Sequence, residues 1–224
     1  MPFILFLKSF EILLFEIMSW LVFYPRTMWR SVRHPQQMMK RAENELALPA
    51  AEQFRDLVSP PIFLLLTVIA ATGIEVAVFG HSTLIDNGIG LAAMITDNTS
   101  LILFRLITFA LLPIIAGFCA LAMLRRPVDR DTLQPLFYAQ CFVTTPVVLT
   151  SSFAETLTRL PQTAANPPAA VLFAAAWAFY IGVEASWFAR EAKRSIVVGA
   201  VWAIATFAIS VLVVGATILL FSGE

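Results

Sequence analysis

Charged side chains are scarce in this chain of 224 residues. Asp, Glu, Lys and Arg make up 13% of it, whereas about 25% is typical of soluble proteins. Hydrophobic residues make up 59%, more than a chain of this length could bury inside a soluble domain. The composition therefore indicates an integral membrane protein. The 15 cations equal the 15 acids, so the net charge of zero implies no nucleic-acid partner.

A strict alternation of apolar and polar residues is also absent, which argues against a transmembrane β-barrel. Instead, five long hydrophobic stretches follow Ser59, and each approaches the roughly 20 residues that a transmembrane helix needs. The sequence therefore predicts an all-α fold, an integral membrane bundle of five transmembrane helices with an N-terminal amphipathic interfacial helix. The predicted spans are residues 62–79, 101–123, 136–153, 169–188 and 196–221, within a transmembrane domain of residues 59–224.

Lysine and arginine are missing from every second loop. The loop 80–98 and the C-terminal tail have none, and the loop 154–168 has only Arg159. Cytoplasmic loops carry an excess of these residues, so we expect a cytoplasmic N-terminus and, after five crossings, a C-terminus outside. The absence of a cleavage site after the first apolar run is typical of a bacterial inner (cytoplasmic) membrane protein. The cation-rich segments are residues 1–58, 124–132 and 189–195.

Signatures of catalysis and of metal or cofactor binding are lacking as well. The sequence has no P-loop, no HExxH, no GxSxG and no Rossmann glycine set. Cys119 and Cys141 both fall within predicted spans, so an outer disulfide is excluded, and two cysteines alone are a poor metal site. His34 and His81 are predicted on opposite sides of the membrane and cannot share a site. We therefore expect a non-enzymatic protein without a catalytic residue, metal or cofactor.

Residues 3–23 are apolar enough to resemble a sixth span, but charged residues interrupt them. Lys8, Glu11 and Glu16 fall on one side of a helix that turns about 100° per residue. This pattern favours an amphipathic helix in the plane of the cytoplasmic interface, and a true sixth span is the alternative. We expect Pro25 to end this helix. Short polar helices are predicted for residues 36–47 and 50–57, with breaks at His34-Pro35 and Pro49.

Three arginines follow on one helix face, beside a tryptophan. Arg26, Arg30 and Arg33 are spaced by four and three residues, and Trp29 lies among them. Arginine and tryptophan side chains suit the headgroup layer of a membrane. These four residues are therefore candidates for contact with anionic lipid headgroups or with a partner protein at the cytoplasmic face. The alternative is that the arginines only fix the orientation of the chain.

Two opposite charges are predicted at similar depth within the membrane. Glu75 and Arg105 lie about five residues from the outer ends of the first and second spans. Since consecutive spans run antiparallel, these two residues are expected to form an ion pair. A structural staple is the favoured interpretation of such a pair, and a substrate or proton relay is the functional one. Alternatively, Arg105 extends outward to water and pairs with nothing.

Polar residues and prolines also occur in the later spans. Glu184 lies near the cytoplasmic end of the fourth span, where we expect it to pair with an arginine. Gln140 and Thr144 can form hydrogen bonds between helices or to their own backbone. Pro113 and Pro146 each remove a backbone donor and predict kinks, and kinked spans can line a cavity, as in transporters. The candidate partners of Glu184 are Arg125, Arg126, Arg190 and Arg194.

Two short elements are similar to motifs of the Yip family of membrane proteins. The family carries Asp-Leu-Tyr-Gly-Pro before its first span, where this chain has DLVSPP at residues 56–61. It carries a Tyr-Gly-Tyr-Ser-like element and then a proline in its third span, where this chain has FYAQ at residues 137–140 and then Pro146. With the five-span layout, the resemblance covers residues 54–221. It implies a non-enzymatic, cofactor-free role in membrane organisation or partner binding.

The DLVSPP element also has a purely physical interpretation. Two prolines suit the first turn of a helix, and either Asp56 or Ser59 can cap it. Because the letters of the family motif are changed here, the Rab binding of eukaryotic family members is not implied.

We expect a small membrane scaffold or accessory protein that binds lipids and either a membrane-protein partner or a second copy of itself. Eight aromatic residues among the first 29 favour surface contacts over a pore. The alternative is a small permease or transporter with a polar pocket between spans two to four. In a scaffold, Glu75→Ala or Arg105→Ala should only destabilise the fold, whereas in a permease these changes should abolish flux.

Overall fold

The computed structural model describes residues 2–80, 97–160 and 166–222. Within these ranges the chain forms seven α-helices and no strand. Five of the helices are long and apolar enough to cross a membrane, which confirms the predicted five-span, all-α fold of an integral membrane protein. His81 and most of the loop 80–98 lie outside the described residues. The helices are α1 Pro2–Arg33, α2 Pro35–Leu46, α3 Pro60–Phe79, α4 Asn98–Leu124, α5 Arg130–Thr158, α6 Asn166–Glu191 and α7 Ile196–Ser222.

Reciprocal hydrogen bonds define the first residues of α4 and α5. The Asp97 carboxylate accepts from the backbone N–H of Ser100 at 2.7 Å, and the Ser100 hydroxyl accepts from the backbone N–H of Asp97 at 3.2 Å. Asp129 and Thr132 repeat this arrangement at 2.8 and 3.2 Å. These bonds lower the pKa of both aspartates, because they favour the charged carboxylate. Polar residues therefore begin both helices several positions before their apolar stretches.

The start of α3 differs from the sequence-based expectation. Ser59 occupies the N-cap position and Pro60 the first turn, but the Ser59 hydroxyl makes no capping hydrogen bond. Asp56 does not cap the helix either, because its carboxylate is engaged by arginines of α1 and α2. The helix ends at Gly80, whose φ of 79° is left-handed and accessible to glycine without strain.

The central helix of the bundle is α5. It packs against α2, α3, α4 and α6. Most of its apolar stretch is buried, whereas most of the apolar stretch of α7 is not. Large buried side chains from four helices meet along it. A residue on α5 therefore lies in the interior of the bundle, whereas most of the α7 surface is left for lipid. The largest of these core side chains are Phe63, Leu121, Phe142, Tyr180 and Phe188.

Helices α6 and α7 approach each other closely at a glycine. A methyl group at Gly199 would overlap the carbonyl oxygen of Ala185 and lie 2.9 Å from the Cβ atom of Ala189. Residue 199 therefore has to be small for the two helices to reach their observed separation.

One end of the bundle is covered by α2. Met38, Met39 and Ala42 are buried against α5 and α6 there, and the amide of Gln36 donates to the carbonyl oxygen of Val183 at 2.8 Å. We call this end the basic end, because it gathers most of the cations of the connecting segments. These cations are Arg125, Arg126, Arg130, Arg190, Lys193 and Arg194.

The predicted end of the first helix at Pro25 is wrong, because α1 continues through Pro25 to Arg33. An interior proline costs about 3 kcal/mol, since it removes one hydrogen bond and crowds the preceding turn. Here neighbouring residues on both sides of the proline are anchored to the bundle. The Tyr24 hydroxyl hydrogen-bonds Thr67 at 2.8 Å, and Thr27 is completely buried. These contacts offset the missing bond.

The break at His34 is confirmed, and α2 begins at Pro35. The predicted helix at residues 50–57 is wrong in extent. Only Ala50–Glu52 form a single 3₁₀ turn, and turns follow it. The Phe54 N–H donates instead to the Glu45 carboxylate at 2.7 Å, which holds this segment against α2.

Candidate functional site

The predicted pairing of Glu75 with Arg105 is confirmed. An Arg105 nitrogen lies 2.5 Å from a Glu75 oxygen, and the Glu75 side chain is only 5% exposed. Arg105 also donates to the Thr72 hydroxyl at 3.1 Å, so it is held on α3 at two points. The alternative of an unpaired Arg105 that extends to water is thereby excluded.

The pair has a third member that sequence reasoning missed. Arg159 hydrogen-bonds the other oxygen of Glu75 and also forms an ion pair with Glu155 at 2.6 Å. Hydropathy alone places Arg159 in a loop, but α5 continues to Thr158. The spacing of Glu155 and Arg159, one helical turn apart, was the available signal. Two acids and two arginines balance in charge, so these four residues join α3, α4 and α5 as a staple. We call them the outer cluster, because the sequence predicts that this end of the bundle faces outward.

Glu184 does not pair with an arginine, so that prediction is wrong. The residue is fully buried in α6, and its Oε2 accepts a hydrogen bond from the Gln140 side-chain amide of α5 at 3.1 Å. The arginines of the basic end are excluded because Glu184 lies about seven residues from the end of α6, on the face that packs on α5. The predicted bond between helices from Gln140 is therefore present, with Glu184 as its acceptor.

Four oxygen atoms around this contact have no hydrogen-bond partner within the described chain. They are Oε1 of Glu184, Oε1 of Gln140, Oγ1 of Thr144 and Oη of Tyr180. All four residues are at most 1% exposed. Buried polar atoms without a partner are rare in proteins and call for an explanation. We call these four residues the buried polar cluster.

Two prolines lie within membrane-spanning helices of the bundle. Pro113 lies inside α4 and Pro146 inside α5, and both are buried. Each interrupts the backbone hydrogen bonds of its span, as predicted; the kinks themselves stay a prediction.

The two cysteines are free, with Cys141 buried and Cys119 partly buried.

The arginine face of α1 is largely engaged within the chain. Arg26 and Arg30 lie 4.0 and 3.5 Å from one oxygen of Asp56, and Arg41 of α2 binds the other oxygen. Arg33 lies over the ring of Trp29, 5.8 Å from its centre. Two of the three arginines therefore help to fix α1 on the segment before α3, a role that the sequence did not indicate.

Hydrogen bonds complete this attachment of α1. The Thr27 hydroxyl accepts from the backbone N–H of Val58 at 3.1 Å and donates to the Phe23 carbonyl at 2.8 Å. The ring of Tyr24 packs on Phe63 at 5.4 Å. The last third of α1 is therefore docked on α3.

The middle of α1 is exposed instead. Eleven consecutive positions, from Lys8 to Met18, are exposed. Most of these side chains are large and apolar, and Phe15 is 73% exposed. The described chain therefore leaves this stretch of α1 uncovered. The exposed apolar residues are Phe10, Ile12, Leu13, Leu14, Phe15, Ile17 and Met18.

A cleft of about 540 Å³ lies at the basic end between α4, α6 and α7. Arg125 and Arg194 line it, and neither forms an ion pair within the described residues. Apolar walls and the carboxylate of Glu191 complete it. The remaining lining residues of the cleft are Met123, Leu124, Ala192, Val198 and Trp202.

Within residues 2–80, 97–160 and 166–222, no three His, Cys, Asp or Glu side chains come together as a metal site.

No protein family, no curated protein and no solved structure matches this chain.

Proposed function

We propose that this protein is a non-enzymatic membrane scaffold or accessory protein, and that α1 is its docking element for another membrane protein. One observation carries the proposal. A helix of 32 residues, about 48 Å long, is attached to the bundle through its last third, and the stretch from Lys8 to Met18 is exposed and mostly apolar. Apolar patches of this size mark sites of protein or membrane contact.

The attachment supports a docking role, because it holds the helix in a defined direction. The hydrogen bond between the Tyr24 and Thr67 hydroxyls, the bond that Thr27 accepts from Val58, and the ion pairs at Asp56 fix the docked third. A helix that is already ordered loses less conformational entropy on binding than a disordered segment does.

The charged residues of the exposed stretch favour contact with a protein partner over a position in which lipid surrounds this part of α1 completely. Lys8, Glu11 and Glu16 lie among the exposed apolar residues, and such charges are costly in the hydrocarbon layer. A partner that packs on the apolar residues leaves these three charges at the headgroup layer or opposite polar groups.

The lipid contact that we propose lies in the cleft rather than on the α1 arginine face. Arg125 and Arg194 are free of ion pairs within the described residues, whereas Arg26 and Arg30 are engaged by Asp56. Unpaired arginines above apolar walls suit anionic headgroups of the cytoplasmic leaflet. We therefore propose that the basic end lies in the cytoplasm and that the membrane is a bacterial inner membrane. The resemblance to the Yip family is compatible with such a role.

Affinity purification in a mild, lipid-preserving detergent, with mass spectrometry of co-eluting proteins, tests the docking role. Phe15→Glu should reduce recovery of a stoichiometric partner by about tenfold or more without unfolding the bundle, because residue 15 does not pack on it. Val128→Glu is the matched control, since Val128 is a comparably exposed apolar residue (64%) outside α1. A photo-cross-linking residue at position 15 should capture the same partner.

Two results would contradict the docking role. A protein that elutes alone, with cross-links to lipid only, would identify α1 as a membrane anchor. Equal loss of the partner in Phe15→Glu and Val128→Glu would show that the binding is non-specific.

A small permease is the second candidate, and the buried polar cluster between α5 and α6 favours it. Transport sites in membrane proteins are lined by polar groups buried within the bundle. The outer cluster around Glu75 favours it less, because the charges there neutralise one another.

A further inference from the structure

The buried polar cluster consists of two layers between α5 and α6. Gln140 and Glu184 form one layer through their hydrogen bond. Thr144 follows Gln140 by one helical turn on α5, and Tyr180 precedes Glu184 by one turn on α6. Because the two helices are consecutive spans and run antiparallel, both steps lead away from the basic end. Thr144 and Tyr180 therefore form the second layer, one turn farther from the basic end on the helix faces that carry Gln140 and Glu184, and Tyr180 interacts electrostatically with Glu184.

The free hydroxyl of Thr144 distinguishes it from other threonines of α5. Thr145, Thr150 and Thr156 each donate to the backbone carbonyl one turn earlier, at 2.7 to 2.9 Å. The Thr144 hydroxyl makes no such bond, although Gln140 stands one turn before it. Its lone pairs and its proton are therefore available to a ligand in the cluster.

The cluster also lacks a positive charge. A buried carboxylate is costly unless a cation or several donors compensate it. Glu184 receives one hydrogen bond, from an uncharged amide, and no Lys, Arg or His forms an ion pair with it within the described chain. The four free atoms are all oxygens, which are the ligands that hard cations prefer.

We propose that the buried polar cluster binds a small monovalent cation, a proton or a sodium ion, at Oε1 of Glu184. Oxygen atoms of Gln140, Thr144 and Tyr180 stabilise this cation. One positive charge neutralises the single carboxylate, whereas a divalent ion would leave a net charge in the apolar core. This inference goes beyond the proposed function and does not depend on the docking of α1.

The surroundings of Glu184 contain few other titratable groups. Helix α4 contributes Cys119, which interacts electrostatically with Tyr180, whereas the buried Cys141 of α5 packs with Leu64 and Leu112 of α3 and α4. Helix α7 has no titratable residue. From α2, Gln36 donates to Val183 and Ser186 on either side of Glu184, and the charged residues of α2 follow it nearer its C-terminus. A titration of the cluster is therefore expected to report Glu184.

Infrared spectroscopy of the full-length protein in phosphatidylcholine vesicles tests the proposal. The C=O stretch of a protonated carboxylic acid is separate from the carboxylate bands. If the cation is sodium, adding NaCl should remove this band at constant pH, and choline chloride should not. If it is a proton, the band should disappear as the pH is raised, whether or not sodium is present. Glu184→Gln should abolish either change, and Glu155→Gln, at a largely exposed glutamate, should not.

A band or a carboxylate signal that responds to neither pH nor sodium would overturn the proposal, and so would a response that persists in Glu184→Gln. If Glu184→Gln does not fold, the oxygen ligands provide a second test in a folded protein. Thr144→Val keeps the size of the side chain and removes the free hydroxyl. If the cation is sodium, this change should weaken its binding roughly tenfold. If it is a proton, the change should shift the midpoint of the titration by about one pH unit.

The matched control is Thr145→Val, because the Thr145 hydroxyl is already bonded to the Cys141 carbonyl. Equal effects of the two valine substitutions on the ion response would show that Thr144 acts only through packing and would overturn its assignment as a ligand.

Discussion

At the scale of single residues, the charges within this bundle differ in how they are compensated. Glu75 lies between two arginines from different helices, whereas Glu184 has only an amide donor. Glu43 on α2 is a third case. Burial raises its pKa, the negative charge of Glu191 raises it further, and Arg126 and Lys40 act in the opposite direction. A structural carboxylate therefore differs from a candidate binding site in whether neighbouring cations neutralise its charge, and not only in how deeply it is buried.

The two arginines at Glu75 should compensate for each other's loss. Arg105→Met should lower the free energy of unfolding by about 1–3 kcal/mol, less than the roughly 3–5 kcal/mol expected when a buried pair is broken, because Arg159 still neutralises Glu75. Adding Arg159→Met should cost more than the sum of the single changes, by about 0.5–3 kcal/mol. Reversible unfolding in mixed micelles measures these differences. Arg130→Met is the control at an exposed arginine, and strict additivity would show that Glu75 is not shared.

The raised pKa of Glu43 predicts that the stability of the folded protein depends on pH. Its pKa is raised in the folded protein above the ordinary value of 4.5, so the folded state is weakened as the pH rises through the folded pKa and Glu43 becomes charged. Glu43→Gln should therefore increase the Tm at pH values above the folded pKa, and the increase should vanish below pH 4.5. Thermal unfolding at a series of pH values checks this. Glu52→Gln, at an exposed glutamate, should show no such trend.

At the scale of helices, most of the agreement between sequence and structure comes from hydropathy. Lipid requires long apolar helices, so the existence and order of the five spans could be predicted. Their ends could not, because polar residues extend α5 from the predicted 136–153 to Arg130–Thr158: Asp129 caps its start, and the ion pair of Glu155 with Arg159 lies at its end. The partner of Glu184 was also out of reach, since it depends on which face of α6 meets α5. Arg159 could not be assigned from the sequence either, because its position depends on where α5 ends and on which helix face meets Glu75.

The close approach of α6 and α7 provides a prediction for one helix pair. Gly199→Ala should destabilise the protein by about 1–3 kcal/mol, because the added methyl group overlaps Ala185 and forces the helices apart. Gly215→Ala is the matched control on the same helix, since a methyl group there would meet no atom within 4 Å. It should be neutral or slightly stabilising. Unfolding measurements on both variants decide this, and equal effects would contradict the proposed close packing.

At the scale of the whole molecule, the two ends of the bundle are built differently. Cations and the covering helix α2 lie at the basic end, whereas the outer cluster at the opposite end balances two acids with two arginines. The docked third of α1 and the cleft also belong to the basic end. The attachment of α1 and the cleft that we propose to bind lipid therefore share one end of the bundle.

This asymmetry predicts that the basic end faces the cytoplasm, because segments rich in Lys and Arg are retained there during insertion. A cysteine at Val128, exposed between α4 and α5, should react with a membrane-impermeant maleimide only after cells are permeabilised. A cysteine at Thr99, exposed at the opposite end, should react in intact cells. The native Cys119 and Cys141 lie within spans, and the unmodified protein gives their background. The reverse labelling pattern would invert the topology and would move α1 and the cleft to the outer face, where neither a cytoplasmic partner nor the anionic inner leaflet could reach them.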